Sequence, residues 1–240
     1  MIALKTRPVA LFGGMMLLAL IVLFPMRLAL GVFGLAGEGL SAREVTGSVW
    51  WGGLNEAHYG NVALGDVGAG LSPIQLVVGR ARIDVWGQEG AANAGLSGAV
   101  SFSRNTSGVD DVSAILPAGD AFAPVPITSI QLDDVSVHFR DGRCETAEGK
   151  VTAMIAATMP QLNLPPTLTG NARCEGGALL VPLASQAQTE SIAVTIQADG
   201  KYTAVLSVRP GDPALGAALT AAGLRLMGSG AYRMTVNGNF

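Results

Sequence analysis

Histidines, paired aspartates, a serine among glycines and two cysteines are the residues whose types and spacing suit chemistry in this sequence. His58 and His138 are its only imidazoles, the side chains best suited to proton transfer near neutral pH. His138 sits between Val137 and Phe139 on a predicted strand with no partner motif, which reads as an ordinary strand residue. Gly95-Leu96-Ser97-Gly98-Ala99 approaches a nucleophile elbow but lacks the final glycine and the strand–turn–helix context that exposes the serine. Gly65-Asp66-Val67-Gly68-Ala69-Gly70 places its glycines in the wrong order for a dinucleotide loop. The pairs Asp110/Asp111 and Asp133/Asp134 are of a kind that binds metal or shares a proton. Neighbouring strand residues point to opposite faces, however, so neither pair converges, and both read as solvated strand ends. Asn105-Thr106-Ser107 fits a glycosylation triplet, with nothing else to suggest a host that uses one. No catalytic, cofactor-binding or metal-binding residue is assigned, no cofactor is expected, and the chain is not expected to be an enzyme.

The two cysteines have related settings, Arg143-Cys144-Glu145 and Arg173-Cys174-Glu175. An even cysteine count in an exported domain reads as one disulfide, here Cys144 with Cys174. Neither lies in a C-x-x-C pair or near a histidine, as a redox or zinc site would require. Trp50 and Trp51 stand between glycines in Gly47-Ser48-Val49-Trp50-Trp51-Gly52-Gly53. Read as strand neighbours, they point to opposite faces, one inward and one outward or toward a membrane surface. They are candidate partner or membrane contacts, against the plainer reading of a core tryptophan with a lipid-facing neighbour.

The elements that would position these residues begin with an apolar segment. Residues 9–26 (VALFGGMMLLALIVLFPM) carry no charge, and apolar character continues past Arg27 to Leu35. At about 1.5 Å per residue that run approaches the thickness of a bilayer core. The expected organisation is a cytoplasmic tail at 1–8, a transmembrane anchor and its exit at 9–35, and a periplasmic β-rich domain at 36–240. Lys5 and Arg7 favour a cytoplasmic tail, with Arg27 and Arg43 weakening the bias. A cleaved signal peptide competes, because Gly34-Leu35-Ala36 puts small residues before a cut ahead of Gly37. The apolar run is longer than the usual apolar region of a signal peptide, which favours the uncleaved anchor.

A formal charge of −3 and 5% aromatic content leave neither the electrostatic footprint nor the stacking platform of a nucleic-acid binder. Only 14% of residues are charged and 32 are glycine, which suits a β-rich domain with closely packed backbone. Alternation places strands at 191–198 and 201–208 around Asp199-Gly200, a type I′ hairpin signal. Strands at 130–140 and 149–157 flank a second hairpin at Asp141-Gly142, and residues 231–236 form the last strand. Residues 53–85 hold further strands divided by Gly60, Gly65, Gly68 and Gly70, with a short helix near 72–76. One C-terminal helix is marked by Asp212 as cap, Pro213 in the first turn and Gly223 as stop, with Leu215, Leu219 and Ala222 on one face. Residues 117–126 are the best linker and could divide the domain. Val109-Asp110-Asp111-Val112 is echoed by Leu132-Asp133-Asp134-Val135 without a fixed repeat period. The fold class is therefore mainly β: an antiparallel, rolled or stacked sheet after a single N-terminal transmembrane helix, with one short C-terminal helix.

The anchor, the G-x-V-W-x-G turn at Gly47–Gly52, Asp141-Gly142-Arg143-Cys144, Cys174-Glu175-Gly176-Gly177 and the closing Gly228-Ser229-Gly230-Ala231-Tyr232 together resemble the protein N family of the type II secretion system. The resemblance covers the anchor, residues 47–76 and 130–240, and leaves 100–126 unmatched. It implies a single-pass protein of the bacterial inner membrane with its C-terminal domain in the periplasm. Such a protein would be an accessory component supporting export of folded proteins across the outer membrane. Its partners would be other secretion components, the inner-membrane platform and the outer-membrane secretin among them, and the inner membrane, with no nucleic acid. The alternative is an envelope lipid-binding or lipid-transfer protein with an apolar groove in a curled β-sheet.

Overall fold

The structure is a computed structural model that describes residues 8–32, 40–60, 62–88, 90–91, 93–119, 122–123, 125, 127–155 and 165–239. Pro8–Val22 forms helix α1, in which proline sits in the first turn where its missing N–H costs no hydrogen bond. From Leu11 to Leu23 its apolar side chains are exposed all the way round. The helix stops ahead of Pro25, whose ring disfavours helical geometry at Phe24. The Phe24 carbonyl instead accepts from Val49 N at 2.9 Å, and Pro25 bridges Ser48. Helix α2, Met26–Val32, then starts with the Pro25 carbonyl accepting from Leu28 N and Ala29 N, and it buries Met26 and Ala29.

The apolar stretch 9–35 is thus not one continuous helix. At 15 residues α1 spans about 22 Å, against roughly 30 Å for a bilayer core. Among the described residues no helix is long and apolar enough to cross a membrane. The tail residues 1–7, the exit 33–35 and the Gly34–Gly37 cleavage context lie outside the described residues.

Among the described residues, sixteen strands form one antiparallel sheet. The first half holds β1 (Leu40–Ser41), β2 (Glu44–Ser48), β3 (Trp51–Tyr59), β4 (Val62–Leu71), β5 (Ala81–Gly87), β6 (Ser97–Phe102) and β7 (Thr106–Pro117). A short helix α3, Pro73–Val77, joins β4 to β5. The second half holds β8 (Ile127–Arg140), β9 (Arg143–Ile155), β10 (Thr167–Asn171), β11 (Arg173–Glu175), β12 (Ala178–Ala184), β13 (Glu190–Ile196) and β14 (Lys201–Val208). A 3-10 turn at Pro213–Leu215 leads into α4, Gly216–Ala221, before β15 (Arg225–Leu226) and β16 (Tyr232–Asn239). From β3 to β10 each strand pairs with its neighbour in the chain, β12 follows β10, and β16 closes on β14.

The turns separate two uses of Asp-Gly. Asp141 and Gly142 both have positive φ and join β8 to β9 in a two-residue loop closed by Arg140 and Arg143, the type I′ form. At Asp199-Gly200 only the glycine has positive φ, and Gly200 N donates to the Gln197 carbonyl. That turn therefore runs from Gln197 to Gly200 and is not type I′, contrary to the sequence expectation. Gly65, Gly68 and Gly70 lie within β4 and do not divide it. Gly68 lies directly beneath the Trp86 indole, where a β-carbon would collide with the ring.

Both Asp-Asp pairs sit in mid-strand bulges, not at strand ends. Val109 pairs with Val137 and Val112 with Val135, so β7 carries one extra residue there; β8 bulges in turn between Val135 and Leu132. Asp111 and Asp134 each take φ of 50°. The bulges are reciprocal: Ser136 Oγ accepts from Asp111 N at 2.9 Å and donates to its carboxylate, while Ser113 Oγ does the same for Asp134. In a regular strand Val109 and Val112 would face opposite ways; the extra residue puts them on one face. The echoed D-D-V-S segments thus have a structural meaning.

Two apolar clusters lie on the inner face. The smaller joins Met26, Leu54, Ala57, Val67, Ala69, Leu96 and Ala114, and the sheet curls enough for β4 to pack near β7. The larger runs across β8–β14 and includes Leu168, Ile192 and Leu219, all fully buried. Phe122 and Val125, from the 118–126 connection, are buried in it, with the Phe122 ring 5.4 Å from that of Tyr202. Around α4, Asp212 accepts from Ala214 N, Gly223 takes positive φ, and Leu219 anchors the apolar face to the sheet.

Candidate functional site

The outer face of β5–β9 carries the residues best placed for contact or chemistry. Arg82, Ser101, Gly108, His138 and Thr146 pair successively across these five strands, so they form one row on one face. Asp110, two residues from Gly108, reaches back to the row. Its carboxylate meets His138 Nε2 at 2.8 Å and Arg82 at 3.4 Å, while Arg82 also bonds Asp84 at 3.0 Å. Thr146 Oγ1 lies 3.3 Å from His138 Nδ1. Gly108 leaves room for the imidazole, since a β-carbon there would meet the His138 ring. The Asp84 hydrogen bond raises the Arg82 pKa above its ordinary value, against the effect of burial, with the charges of Asp84, Asp110 and Asp111 adding to it.

The sequence of Thr146, His138 and Asp110 has the bonding order of a nucleophile, base and carboxylate. Asp110 is shared with Arg82, however, and Thr146 stands exposed on the face of an extended strand. The group acts as a cross-strand clamp joining β5, β7, β8 and β9. His58 is separate from it, with its Nδ1 3.0 Å from the Glu56 carbonyl. Asp133 and Asp134 are likewise engaged apart, with Gln131 and Ser113.

The tryptophans occupy the other part of this region. Val49 and Trp50 form the two-residue turn between β2 and β3, so Trp50 is a turn residue and not a strand neighbour of Trp51. Trp50 Nε1 donates at 2.9 Å to the Ile21 carbonyl in the last turn of α1, which also takes a longer bond of 3.4 Å from Phe24 N. Trp51 is 74% exposed and packs against Trp86, with ring centroids 4.8 Å apart. The glycines of the G-x-V-W-x-G segment are explained locally. Gly47 takes φ of 80°, and Gly52 lies under the Met26 sulfur, where a β-carbon would displace the thioether that packs α2 on the sheet.

Cys144 and Cys174 form a disulfide with a Cα separation of 5.4 Å, linking β9 to β11. The bridge lies in the second half of the sheet, among residues packed on the larger cluster. Asp110 reads in the sequence only as a solvated strand end, while Arg82 and Trp86 are contributors that the sequence reading did not single out. Their legible signal was the alternation of β5, in which Arg82, Asp84 and Trp86 share a face.

No curated protein and no solved structure gives a significant match to this chain. A family model does: the one described as type II secretion system (T2SS), protein N, aligns with residues 38–235. That span takes in all sixteen strands but the last residues of β16, together with the Gly47–Gly52 turn, the outer-face row and both cysteines. With the match extending from the first strand to the last, the chain belongs to the type II secretion system protein N family.

Proposed function

We propose that this protein is an accessory inner-membrane component of the type II secretion system, working by contact with other components and turning over no substrate. Its β-rich domain lies in the periplasm and supports the export of folded proteins across the outer membrane. The observation that carries the reading is the pairing of the family match over the sheet with the wholly apolar, outward-exposed surface of α1 ahead of it. A helix apolar on every side calls for a lipid or protein environment. A disulfide between Cys144 and Cys174 suits an oxidising compartment. The inner face of the sheet is filled by the chain's own Phe122, Val125, Leu219 and Leu224, which favours a packed scaffold over an apolar lipid groove.

The test is deletion of the gene with complementation by the intact chain. Secreted enzymes should accumulate in the periplasm of the deletion strain and return to the medium on complementation. A photocrosslinking residue at position 86 should yield adducts with other secretion components. Unimpaired secretion without adducts overturns the proposal.

A further inference from the structure

We infer that the β2–β3 turn and helix α3 form a second lipid contact, an apolar tip that dips into the bilayer surface beside the exit of α1. The inference rests on the membrane placement proposed above and adds to it a specific surface and occupant.

Three connections meet at one end of the sheet. Val49 N donates to the Phe24 carbonyl and Leu71 N donates to the Val49 carbonyl, both at 2.9 Å. Phe24, Val49 and Leu71 therefore lie in one row, so the backbone just past α1 and the end of β4 are about 10 Å apart. Helix α3 begins two residues after Leu71 and buries none of its residues. Ile74 is 77%, Val77 88% and Val78 74% exposed, a concentration of large aliphatic side chains on one short connection. Trp51, equally exposed, begins β3 at the same end.

The next turns along this end change character. Residues 103–105 include Arg104, and Asp141-Gly142 is flanked by Arg140 and Arg143. Exposed apolar side chains are thus densest on the α3 connection near α1 and, past the exposed Phe102 at the end of β6, give way to charge with distance from it. Exposed Arg27 and Arg80 border the tip, where they can meet lipid phosphates. A row of aliphatic residues with tryptophan at its margin and arginine behind it suits the headgroup boundary, into which interfacial elements sink about 5–10 Å. A bilayer is the occupant because the tip is tied by backbone hydrogen bonds to α1, whose own surface calls for lipid. Two points of entry fix the orientation of the sheet, which one helix alone would leave able to swivel.

The test uses the full chain in vesicles of phosphatidylethanolamine and phosphatidylglycerol containing brominated lipid. Its native cysteines are paired, so a single introduced cysteine can carry a bimane probe. Leu17→Cys reports on α1, Val77→Cys on the tip, and Gln186→Cys on the remote β12–β13 turn. The expected result is strong quenching at positions 17 and 77 and none at 186. Adding Ile74→Asp to the Val77→Cys chain should abolish quenching at 77 and leave it unchanged at 17. Quenching at 17 without quenching at 77 overturns the tip and leaves the anchor reading standing. Absence of quenching at both positions overturns the anchor reading, and the tip with it.

Discussion

Asp111 and Asp134 hold a left-handed conformation that aspartate tolerates only with local hydrogen bonding to offset it. Each is held by the serine that follows the other bulge, so four residues share one arrangement. Ser136 is the more deeply buried of the two serines. Ser136→Ala leaves the Asp111 N–H without its acceptor and should destabilise the domain by about 1–3 kcal/mol. Ser113→Ala should cost less, because water can reach that site. Urea titration checks both, the midpoint falling at unchanged slope. Glycine adopts the same φ without strain, so Asp111→Gly in the Ser136→Ala background should recover part of the loss. A Ser136→Ala midpoint equal to that of the unaltered chain would show that the reciprocal bonding is incidental.

The strands and turns show which parts of the fold can be read from residue order. The β13–β14 pair and the helical segment at 213–221 were legible because local alternation marks the one and Asp212 and Gly223 bracket the other. The bulges were not, since one extra residue inverts the alternation and makes Asp110 and Asp111 look like the end of a strand. The break at Pro25 carried a local signal, but the apolar run across it masked the change from exposed α1 to packed α2. Likewise the outer-face row depends on register across five strands, which residue order alone does not determine. The disulfide was legible as a pairing of two cysteines, yet its bracing of β9 against β11 became visible only with the sheet. Its loop of 30 residues confers about 3–4 kcal/mol in the chain-entropy account. Replacing both cysteines by alanine should lower unfolding stability by about that amount while leaving the β content unchanged. Circular dichroism during urea unfolding measures both, and an unaltered midpoint would show that the bridge does not brace the native sheet.

Across the whole molecule, the two apolar clusters divide the sheet unequally. The smaller one gathers short side chains, three of its seven buried members being alanine, and is closed on one side by α2 through Met26 over Gly52. The larger holds Leu168, Ile192 and Leu219 at full burial and contains the disulfide. Local opening follows the density of buried apolar contacts, so the first half should open at lower free energy than the second. Native-state hydrogen exchange should therefore show β3 and β4 exchanging well before β13 and β14. Met26→Ala, which uncovers the smaller cluster, should accelerate exchange in β2–β4 and leave β13–β14 unchanged; Leu219→Ala should act chiefly on the second half, at a cost of about 2–5 kcal/mol. Equal acceleration of both halves by Met26→Ala would mean that the bulged strands transmit packing and that the sheet behaves as one cooperative unit. If the halves respond separately, the part tied to α1 can yield while the disulfide-braced part keeps its shape. The row from Arg82 to Thr146 crosses that division, with β5–β7 in the half that yields and β8–β9 in the half that keeps its shape, so strain in the first half would reach the row at Arg82, Ser101 and Gly108 before His138 and Thr146.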